Sequence, residues 1–450
     1  MSYHLSTYTT HYKNLIFLGV PIIVGQLGNI ILSFADTLMV GHHSTYELAA
    51  AAFVNNVFAL AILMSLGFSY AITPIVGKLF GQGRPSRIGE VMKNAFVANT
   101  VTAIILMIAM GILYLNVEHL GQPKELLPLI KDYYLIQYVS LPFISWFNTF
   151  KQFFDGITDT LTAMCVIVVG NVMNIFGNWV LIFGHFGFPD MGLNGSGLST
   201  LFARVVMALI LFTLFRRHRR YKVYAEGWCK GKLSWADFKE QNSLGWPLSF
   251  QMGLEAAAFG ASSIMVGWIG TIALAAHQVM LTISQLGYMI YYGLAAAVAV
   301  RTSNFAGRKD WEAVWITSRA GLHLILLLAF TTCIPIFCCR HIIGGLFTDN
   351  VQVQQLVAML VVPFMIYQFG DGMQVNYANS LRGIGYVKPL MGVAFVSYFL
   401  TSLSMSYLLG IYFHGGIVGV WAAFPISLTL AGILYYYYYR KGMSRMEQAS

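Results

Sequence analysis

Twelve apolar runs, each long enough to cross a lipid bilayer as a helix, constrain the fold of this chain more than any other feature. A bilayer core of ~30 Å is crossed by about 20 apolar residues in a helix. The runs follow one another along all 450 residues, of which 57% are hydrophobic and only 10% are charged. An ordinary soluble domain has roughly 25% charged residues. The predicted spans are residues 15–40, 50–77, 92–115, 129–153, 162–184, 192–215, 246–268, 272–300, 314–338, 357–379, 389–413 and 417–439.

This pattern predicts an all-α integral membrane protein with twelve transmembrane helices. It excludes a cytoplasmic enzyme, a disordered tail and a secreted disulfide scaffold. Residues 1–14 are polar, and because the first apolar run is long enough to remain as a span, no cleavable signal peptide is expected. The five cysteines are scattered without a CxxC pair, which predicts reduced packing residues and neither a disulfide framework nor a metal site.

Positive charges lie mainly between the spans, and their distribution predicts the orientation of the chain. The formal net charge is +9, and eight Lys and Arg residues lie between Arg216 and Lys239 alone. If the N-terminus is cytoplasmic, the opposite loops contain only Lys124 and Arg340, with Lys131 at the edge of a span. By the positive-inside rule, both termini are expected in the cytoplasm. The sequence contains no basic patch interleaved with aromatic residues, the pattern that would indicate nucleic-acid binding.

The two halves of the chain resemble each other when the sequence is shifted by 226 residues. Pro21 then matches Pro247, Gly67 matches Gly293, and the Met-Val-Gly triplet that starts at Met39 is repeated. The shift predicts two pseudo-symmetric six-helix bundles, residues 1–215 and 246–450, joined by a basic cytoplasmic linker, residues 216–245. Six spans per repeat give both halves the same orientation, as in transporters with parallel repeats. A duplicated scaffold without a transport role is the alternative interpretation.

Three carboxylates lie well inside predicted spans, where a charge costs about 2.5–3.5 kcal/mol on the insertion scale. They are Asp36, Glu255 and Asp371, and each belongs to a polar stripe at helical spacing. Two buried carboxylates do not both stay charged at low cost, so a cation between Glu255 and Asp371, or a proton on one of them, is expected. Permanently hydrogen-bonded structural acids are the alternative, and a solvated position near the end of span 1 is a further one for Asp36.

Other polar residues within the spans have less specific interpretations. Asn171, Asn174 and Asn178 share one face of span 5, where they either hydrogen-bond to a neighbouring helix or line a polar cavity. Arg204 is expected to be a structural partner of a carboxylate or a backbone carbonyl. His277 is expected to hydrogen-bond within its bundle. No nucleotide-hydrolysing domain is recognisable, which favours an ion gradient as the energy source.

Several motifs, taken in order along the chain, resemble the multidrug and toxic compound extrusion (MATE) family, in particular its NorM-type branch. The first half contains Pro21, Gln26 and the segment 35–41, ADTLMVG. The second half contains Glu255 after Trp246-Pro247, the segment 275–278 (AAHQ), Asp371-Gly372 and the segment 381–385 (LRGIG). Any one of these motifs is weak, but their common order from about Tyr12 to Arg440 is specific.

The resemblance implies a secondary active multidrug efflux antiporter that exports cationic or aromatic compounds in exchange for Na⁺ or H⁺ by alternating access. A transporter of this family lies in the bacterial inner (plasma) membrane and is expected to need no cofactor beyond the coupling ion. In the family's pattern Glu255 and Asp371 match the carboxylates of a second-lobe cation site, with Tyr367 as a neighbour. Residues that match a first-lobe polar cluster are Asp36, Gln26, Asn174, Asn178 and Thr200. Some relatives have Asp at the position of Asn178, which leaves less negative charge in the first lobe here.

The resemblance also places Tyr288 at an aromatic position of the substrate cavity, and Gln278 and Gln285 are further candidates for that cavity. The expected partners are small-molecule drugs and membrane lipid, and a two-lobe cleft functions as a monomer. A flippase for a lipid-linked oligosaccharide or a related lipid shares this architecture and is the main alternative, although it would favour Arg and Lys within the spans. A major-facilitator exporter would carry an Asp that is missing from the loop 77–87, and a membrane-embedded transferase would need a His/Asp or metal constellation.

Overall fold

A computed structural model describes residues 5–448, with side chains from residue 7 onward, and this part of the chain is helical without a strand. The first four residues of the polar N-terminal segment lie outside the described residues. The helices of the first half are α1 (Leu5–His43), α2 (Thr45–Ser69), α3 (Ile72–Gly81), α4 (Pro85–Leu115), α5 (Leu127–Gly156), α6 (Thr160–Ile182), α7 (Gly192–Arg217) and α8 (Lys222–Lys230). Those of the second half are α9 (Trp235–Ile269), α10 (Thr271–Gly307), α11 (Trp311–Cys338), α12 (Arg340–Ile343), α13 (Val351–Gly383), α14 (Lys388–Ala394), α15 (Ser404–Tyr407) and α16 (Gly416–Gln448).

Eleven segments within residues 5–448 are long and apolar enough to cross a membrane. They agree with the predicted membrane fold, and each predicted span coincides with a helix or, for the second and eleventh spans, with consecutive helical segments. The predicted fourth span lies in α5, which is long enough but less apolar than the other spans. Polar side chains within α5, among them Gln137 and Asn148, lower its apolarity, and both are buried in the protein.

The predicted eleventh span contains two π-helical segments. Between α14 and α16, π-helical turns at Phe395–Leu403 and Leu408–Tyr412 flank the short α15. Such turns are rare and occur frequently at functional sites. The first of them contains Ser397 and Tyr398, both buried.

The chain forms two compact units, each of which combines parts of both halves. The first comprises residues up to 23 and from 250 onward, and the second comprises residues 24–249. These limits differ at two places from the predicted bundles, because residues before 24 belong with the second half and residues 216–249 with the first. We call the units the C-unit and the N-unit. Helices α1 and α9 each pass from one unit to the other shortly after an internal proline, Pro21 and Pro247 respectively.

Specific contacts explain why the start of α1 belongs to the C-unit. The Tyr12 hydroxyl lies 2.9 Å from His323 Nδ1, and His11 Nδ1 lies 2.9 Å from Thr317 Oγ1. Both partners are on α11. The core of the C-unit is built around Trp421 of α16, whose ring is fully buried and packs edge to face against Phe424 at 5.2 Å.

The predicted linker, residues 216–245, is mostly helical and packs within the N-unit. Trp228 of α8 lies against Phe215 and Phe150, with ring centroids 5.5 and 6.1 Å apart respectively. At the start of α9, Asp237 forms an ion pair with Arg87 of α4. The basic segment is therefore a structural part of the N-unit.

The crossing of α4 and α8 depends on two glycines. A Cβ on Gly89 would overlap the Tyr224 carbonyl oxygen and lie 2.6 Å from the Trp228 amide nitrogen, and a Cβ on Gly227 would overlap the Ser86 carbonyl. We expect Gly89→Ala to lower the free energy of unfolding by about 1–3 kcal/mol, the usual cost of overpacking. Thermal unfolding in detergent measures this, with Gly111→Ala in the same helix as the control, since a Cβ there meets its nearest neighbour at 3.5 Å. Equal unfolding temperatures for the two variants would contradict the prediction.

Only one of the five cysteines is a buried packing residue, as the sequence predicted for all of them. All five thiols are free, but Cys333 alone is buried, and Cys165, Cys229, Cys338 and Cys339 are exposed. Cys165 and Cys338 lie on apolar helices, whose surfaces can face lipid, so an apolar surrounding in the sequence does not require burial inside the protein.

Candidate functional site

The N-unit encloses a cavity of about 420 Å³ among its helices. Its polar lining comes from five helices, with Asp36 on α1, Asn55 on α2, Gln137 on α5, Asn174 on α6 and Arg204 on α7. Apolar and aromatic side chains form the rest of the wall. A concave, largely apolar space of this size with a few convergent polar groups is typical of small-molecule sites.

The first-lobe cluster predicted from the sequence comes together at this cavity. The Asn178 side-chain amide donates a hydrogen bond to Asp36 Oδ1, and Asn174 Nδ2 donates to Thr200 Oγ1 at 3.2 Å. Gln26, Asp36, Asn174 and Thr200 line the cavity, whereas Asn178 is joined to it only through its bond to Asp36. The amide oxygens of Asn174 and Asn178 are buried and have no hydrogen-bond partner among the described residues. The site therefore retains acceptor capacity that a ligand, a cation or water can use.

The asparagine stripe of α6 serves both of the uses that the sequence left open. Asn171 Nδ2 donates to Asn29 Oδ1 of α1 at 3.4 Å, so it bonds to a neighbouring helix. Asn171 and Asn174 also line the cavity.

The sequence analysis missed the polar face of α5, which supplies much of the cavity wall. Tyr133 donates from its hydroxyl to Asn55 Oδ1 at 3.2 Å, and Gln137 Nε2 donates to the Tyr133 hydroxyl at 3.0 Å. Asn148 and Lys151 lie further along the same wall. Helical spacing of polar residues within a predicted span was the available signal, and the aromatic residues between them concealed it.

The prediction for Arg204 was wrong about its partners. Its Nη1 donates to Gln137 Oε1 at 2.9 Å and to Ser140 Oγ at 2.5 Å, instead of to a carboxylate or a backbone carbonyl. Both partners are neutral and belong to α5. The positive charge of Arg204 is consequently held at the wall of the cavity without a directly bonded anion.

In the C-unit, Glu255 of α9 and Asp371 of α13 lie close enough to interact electrostatically. Asp371 is 2% exposed, its Oδ1 accepts a long 3.4 Å bond from Gln374 Nε2, and its Oδ2 has no partner among the described residues. The Glu255 carboxylate has no hydrogen-bond or ion-pair partner within the described part of the chain. Two electrostatically interacting carboxylates with few hydrogen bonds form a candidate site for a cation or a proton.

Two tyrosines interact electrostatically with both of these carboxylates. Tyr367 interacts electrostatically with both of them, and its hydroxyl is hydrogen-bonded to Ser284 Oγ at 2.9 Å. Tyr398, in the first π-helical turn, also interacts with both, and its buried hydroxyl has no partner within residues 5–448. The sequence analysis missed Tyr398, although Ser402 and Ser406 follow it at helical spacing, because its span contains no charged residue.

The three substrate-cavity candidates of α10 occupy different surroundings. Gln278 and Gln285 are exposed on one face of the helix together with Thr282, whose hydroxyl donates to the Gln278 carbonyl. Tyr288 stacks on Tyr292 with ring centroids 6.0 Å apart. A polar helix face within a membrane span borders water or protein more readily than lipid, which is compatible with their predicted role.

His277 is buried between two helices, as its predicted bonding within the bundle requires. Its Nε2 lies 2.9 Å from Ser263 Oγ, and its Nδ1 accepts from Trp421 Nε1 at 3.1 Å. Because the indole nitrogen only donates, Nδ1 is unprotonated and Nε2 carries the hydrogen. His277 thus has a structural role in the C-unit, where it joins α10 to α9 and α16 through hydrogen bonds.

Comparison with known proteins shows that the chain is similar to one family over most of its length. The MatE family model matches residues 21–180 and 247–408, two segments that start at the same 226-residue shift as the internal repeat. The multidrug resistance protein NorM of Photobacterium profundum is 28% identical over 443 residues, which cover 96% of this chain and 95% of the relative. That of Aliivibrio fischeri is 29% identical over 435 residues, which cover 95% and 94% respectively.

The solved structures indicate the same fold. An outward-facing structure of a multidrug resistance MATE family transporter of the MOP superfamily superposes with a TM-score of 0.89 and covers 97% of both chains. At 17% sequence identity this likeness concerns the fold alone. It extends over the helices that carry the two candidate sites.

Proposed function

The chain belongs to the MatE family of membrane transporters, and on that basis we propose that it is a secondary active multidrug exporter. It exchanges cationic or aromatic compounds for Na⁺ or H⁺ by alternating access. The multidrug resistance names of its NorM relatives support the drug substrates. The observation that carries the proposal is the pair Glu255 and Asp371, two electrostatically interacting acids within membrane spans, of which Asp371 has a buried Oδ2 without a partner among the described residues.

The donor atoms around this pair suit a coupling ion. Na⁺ is a hard cation that prefers oxygen ligands, and the carboxylates offer them together with the hydroxyls of Tyr367 and Tyr398. A proton on one carboxylate would also relieve the repulsion between two adjacent negative charges. Within residues 7–448, no group of three or more His, Cys, Asp or Glu side chains could hold a metal ion. The proposed ion is a transported substrate, held by the two acids and by neutral oxygens.

We propose that the N-unit cavity is the drug-binding site of the transport cycle. Asp36 attracts a cationic group on the drug, and Phe58 and Phe147 in the wall offer aromatic faces. A cation over an aromatic face gains about 0.5–2 kcal/mol. Following the positive-inside pattern, we also propose that both termini are cytoplasmic, that the membrane is the bacterial inner membrane and that the transporter works as a monomer in lipid.

Gradient-driven transport in proteoliposomes tests this proposal. Ethidium movement is measured without ATP while a Na⁺ gradient and a pH gradient are imposed separately. Movement driven by either gradient supports the antiporter and identifies its ion. If neither gradient moves ethidium, and a lipid-linked oligosaccharide is translocated instead, the flippase alternative replaces the proposal.

We expect Tyr398→Phe to weaken the dependence of transport on the coupling ion without loss of stability. In the ion-loaded site the Tyr398 hydroxyl would supply an oxygen ligand to Na⁺ or a hydrogen bond to a carboxylate, an interaction with a charged group that is worth about 1.5–3 kcal/mol, so its loss should weaken ion binding roughly tenfold or more. The hydroxyl has no protein partner within residues 5–448, so its removal leaves the unfolding temperature unchanged or higher. The measurements are the half-saturating ion concentration for transport and thermal unfolding in detergent.

The control variant for this prediction is Tyr134→Phe. The Tyr134 hydroxyl donates to the Met110 carbonyl at 2.8 Å in the N-unit, so its loss lowers stability and leaves the ion dependence unchanged. A Tyr398→Phe variant that is destabilised, with wild-type ion dependence, would show that the hydroxyl is structural.

A further inference from the structure

The cavity of the N-unit contains two opposite charges that do not pair with each other. Asp36 and Arg204 both line it and interact electrostatically, yet no ion pair within 4.0 Å joins them in the described part of the chain. Asp36 is bonded to the neutral amide of Asn178, and Arg204 to the neutral Gln137 and Ser140. Each charge therefore keeps capacity for a partner of opposite sign.

Lys151, the other cationic residue of the cavity wall, is different. Its Nζ donates to Asp155 Oδ2 at 2.7 Å, and both side chains are almost fully buried. The charge of Lys151 is thus neutralised within α5. Arg204 is the cation of this wall whose charge remains available to a ligand.

A hydrogen-bond network on α5 fixes the position of Arg204. Ser140 Oγ donates to the Gln137 carbonyl at 2.7 Å, and the Gln137 side-chain amide donates to the Tyr133 hydroxyl. Both bonds from Arg204 use Nη1. A guanidinium has five N–H donors in a fixed planar fork, so donors remain on Nη2 and Nε after these bonds. A fork of this kind matches the two oxygens of a carboxylate.

We propose that Arg204 is a specificity-determining residue that binds a carboxylate of the transported compound, so that the N-unit cavity selects zwitterions. The cationic group of the compound faces Asp36, its carboxylate faces Arg204, and its ring system contacts the aromatic wall. This inference rests on the proposed export function and names the substrate class of the same cavity. A simple cation would satisfy Asp36 and leave Arg204 without an anion, and a simple anion would do the reverse.

The test uses a matched pair of fluorescent probes and the full-length protein in detergent. One probe is a rhodamine with a free carboxylate, and the other is its methyl ester, which keeps the ring system and the positive charge. Binding is measured by fluorescence polarisation. We expect wild-type protein to bind the free carboxylate form more tightly than the ester, and equal affinities would overturn the proposal.

Two variants of Arg204 assign this preference to its side chain. Arg204→Gln is expected to weaken binding of the carboxylate form roughly ten- to a hundredfold and that of the ester less than about threefold. Arg204→Lys keeps the charge but loses the fork, and should fall between wild type and Arg204→Gln for the carboxylate form alone. Arg340→Gln, which removes a positive charge from the C-unit, is the control and should bind both probes as wild type does.

The outcomes separate this proposal from the export function. An equal loss of both probes in Arg204→Gln, or no loss of either, would overturn the role of Arg204. If Arg204→Gln does not fold, Arg204→Lys and the preference of the wild type decide the question. Transport of the same probes in proteoliposomes is measured separately, so selective binding without gradient-driven transport would contradict export and leave the assignment of Arg204 intact.

Discussion

Ion-driven export is expected to disappear when Glu255 is replaced by glutamine. The substitution keeps the size and the polar character of the side chain but removes the negative charge that we propose to hold the coupling ion or proton together with Asp371. Each coupled charge that crosses 100 mV supplies about 2.3 kcal/mol, nearly a fiftyfold concentration ratio. A variant without coupling should therefore bring ethidium only to equal concentrations on both sides of a proteoliposome membrane. Asp371→Asn should have the same effect.

Glu312→Gln is the matched control for this prediction. Glu312 is exposed in the first turn of α11, so the same chemical change there should leave coupled transport intact. Thermal unfolding in detergent verifies that the Glu255→Gln protein is folded. Concentrative export by a folded Glu255→Gln variant would refute the assignment of the coupling site.

Drug binding is expected to weaken strongly when Asp36 in the N-unit is replaced by asparagine. The amide retains the shape of the carboxylate but no longer attracts the cationic group of the drug. A charge-assisted interaction in this cavity contributes about 1.5–3 kcal/mol, so drug binding should weaken roughly ten- to a hundredfold. Binding of ethidium to the purified protein by fluorescence measures the loss directly, without dependence on any gradient.

The control for this second prediction is Asp132→Asn. Asp132 is exposed near the start of α5, and its charge lies away from the cavity lining. Binding that weakens equally in both variants would show that Asp36 acts through the overall charge of the unit. Unchanged binding in Asp36→Asn would remove Asp36 from the drug site.

Much of the fold follows from the sequence because membrane helices are specified by long apolar runs. The predicted span boundaries lie within a few residues of the helix ends or inside them. The helices extend further, as α1 and α9 do, because polar turns outside the bilayer also form helix. The unit limits were harder to predict, since they depend on contacts such as Tyr12 with His323, which join residues distant in sequence.

The candidate sites could be predicted as far as single charges marked them. Asp36, Glu255 and Asp371 stand out because an acid in an apolar run is rare and costly. Tyr398 and the polar face of α5 do not stand out, since tyrosine and glutamine are common in membrane helices. The partners of Arg204 could not be derived either, because they lie on another helix and are neutral.

If drug and ion are exchanged obligatorily, a drug gradient alone must drive Na⁺ or H⁺ in the opposite direction, and this counterflow can be measured. Proteoliposomes are loaded with ethidium, no ion gradient is imposed, and the internal Na⁺ and pH are followed with trapped indicators. The account predicts that ethidium leaving the vesicles drives one of these ions inward, and that this flux is absent in Glu255→Gln. Ethidium efflux through the wild-type protein without any movement of Na⁺ or H⁺ would contradict it.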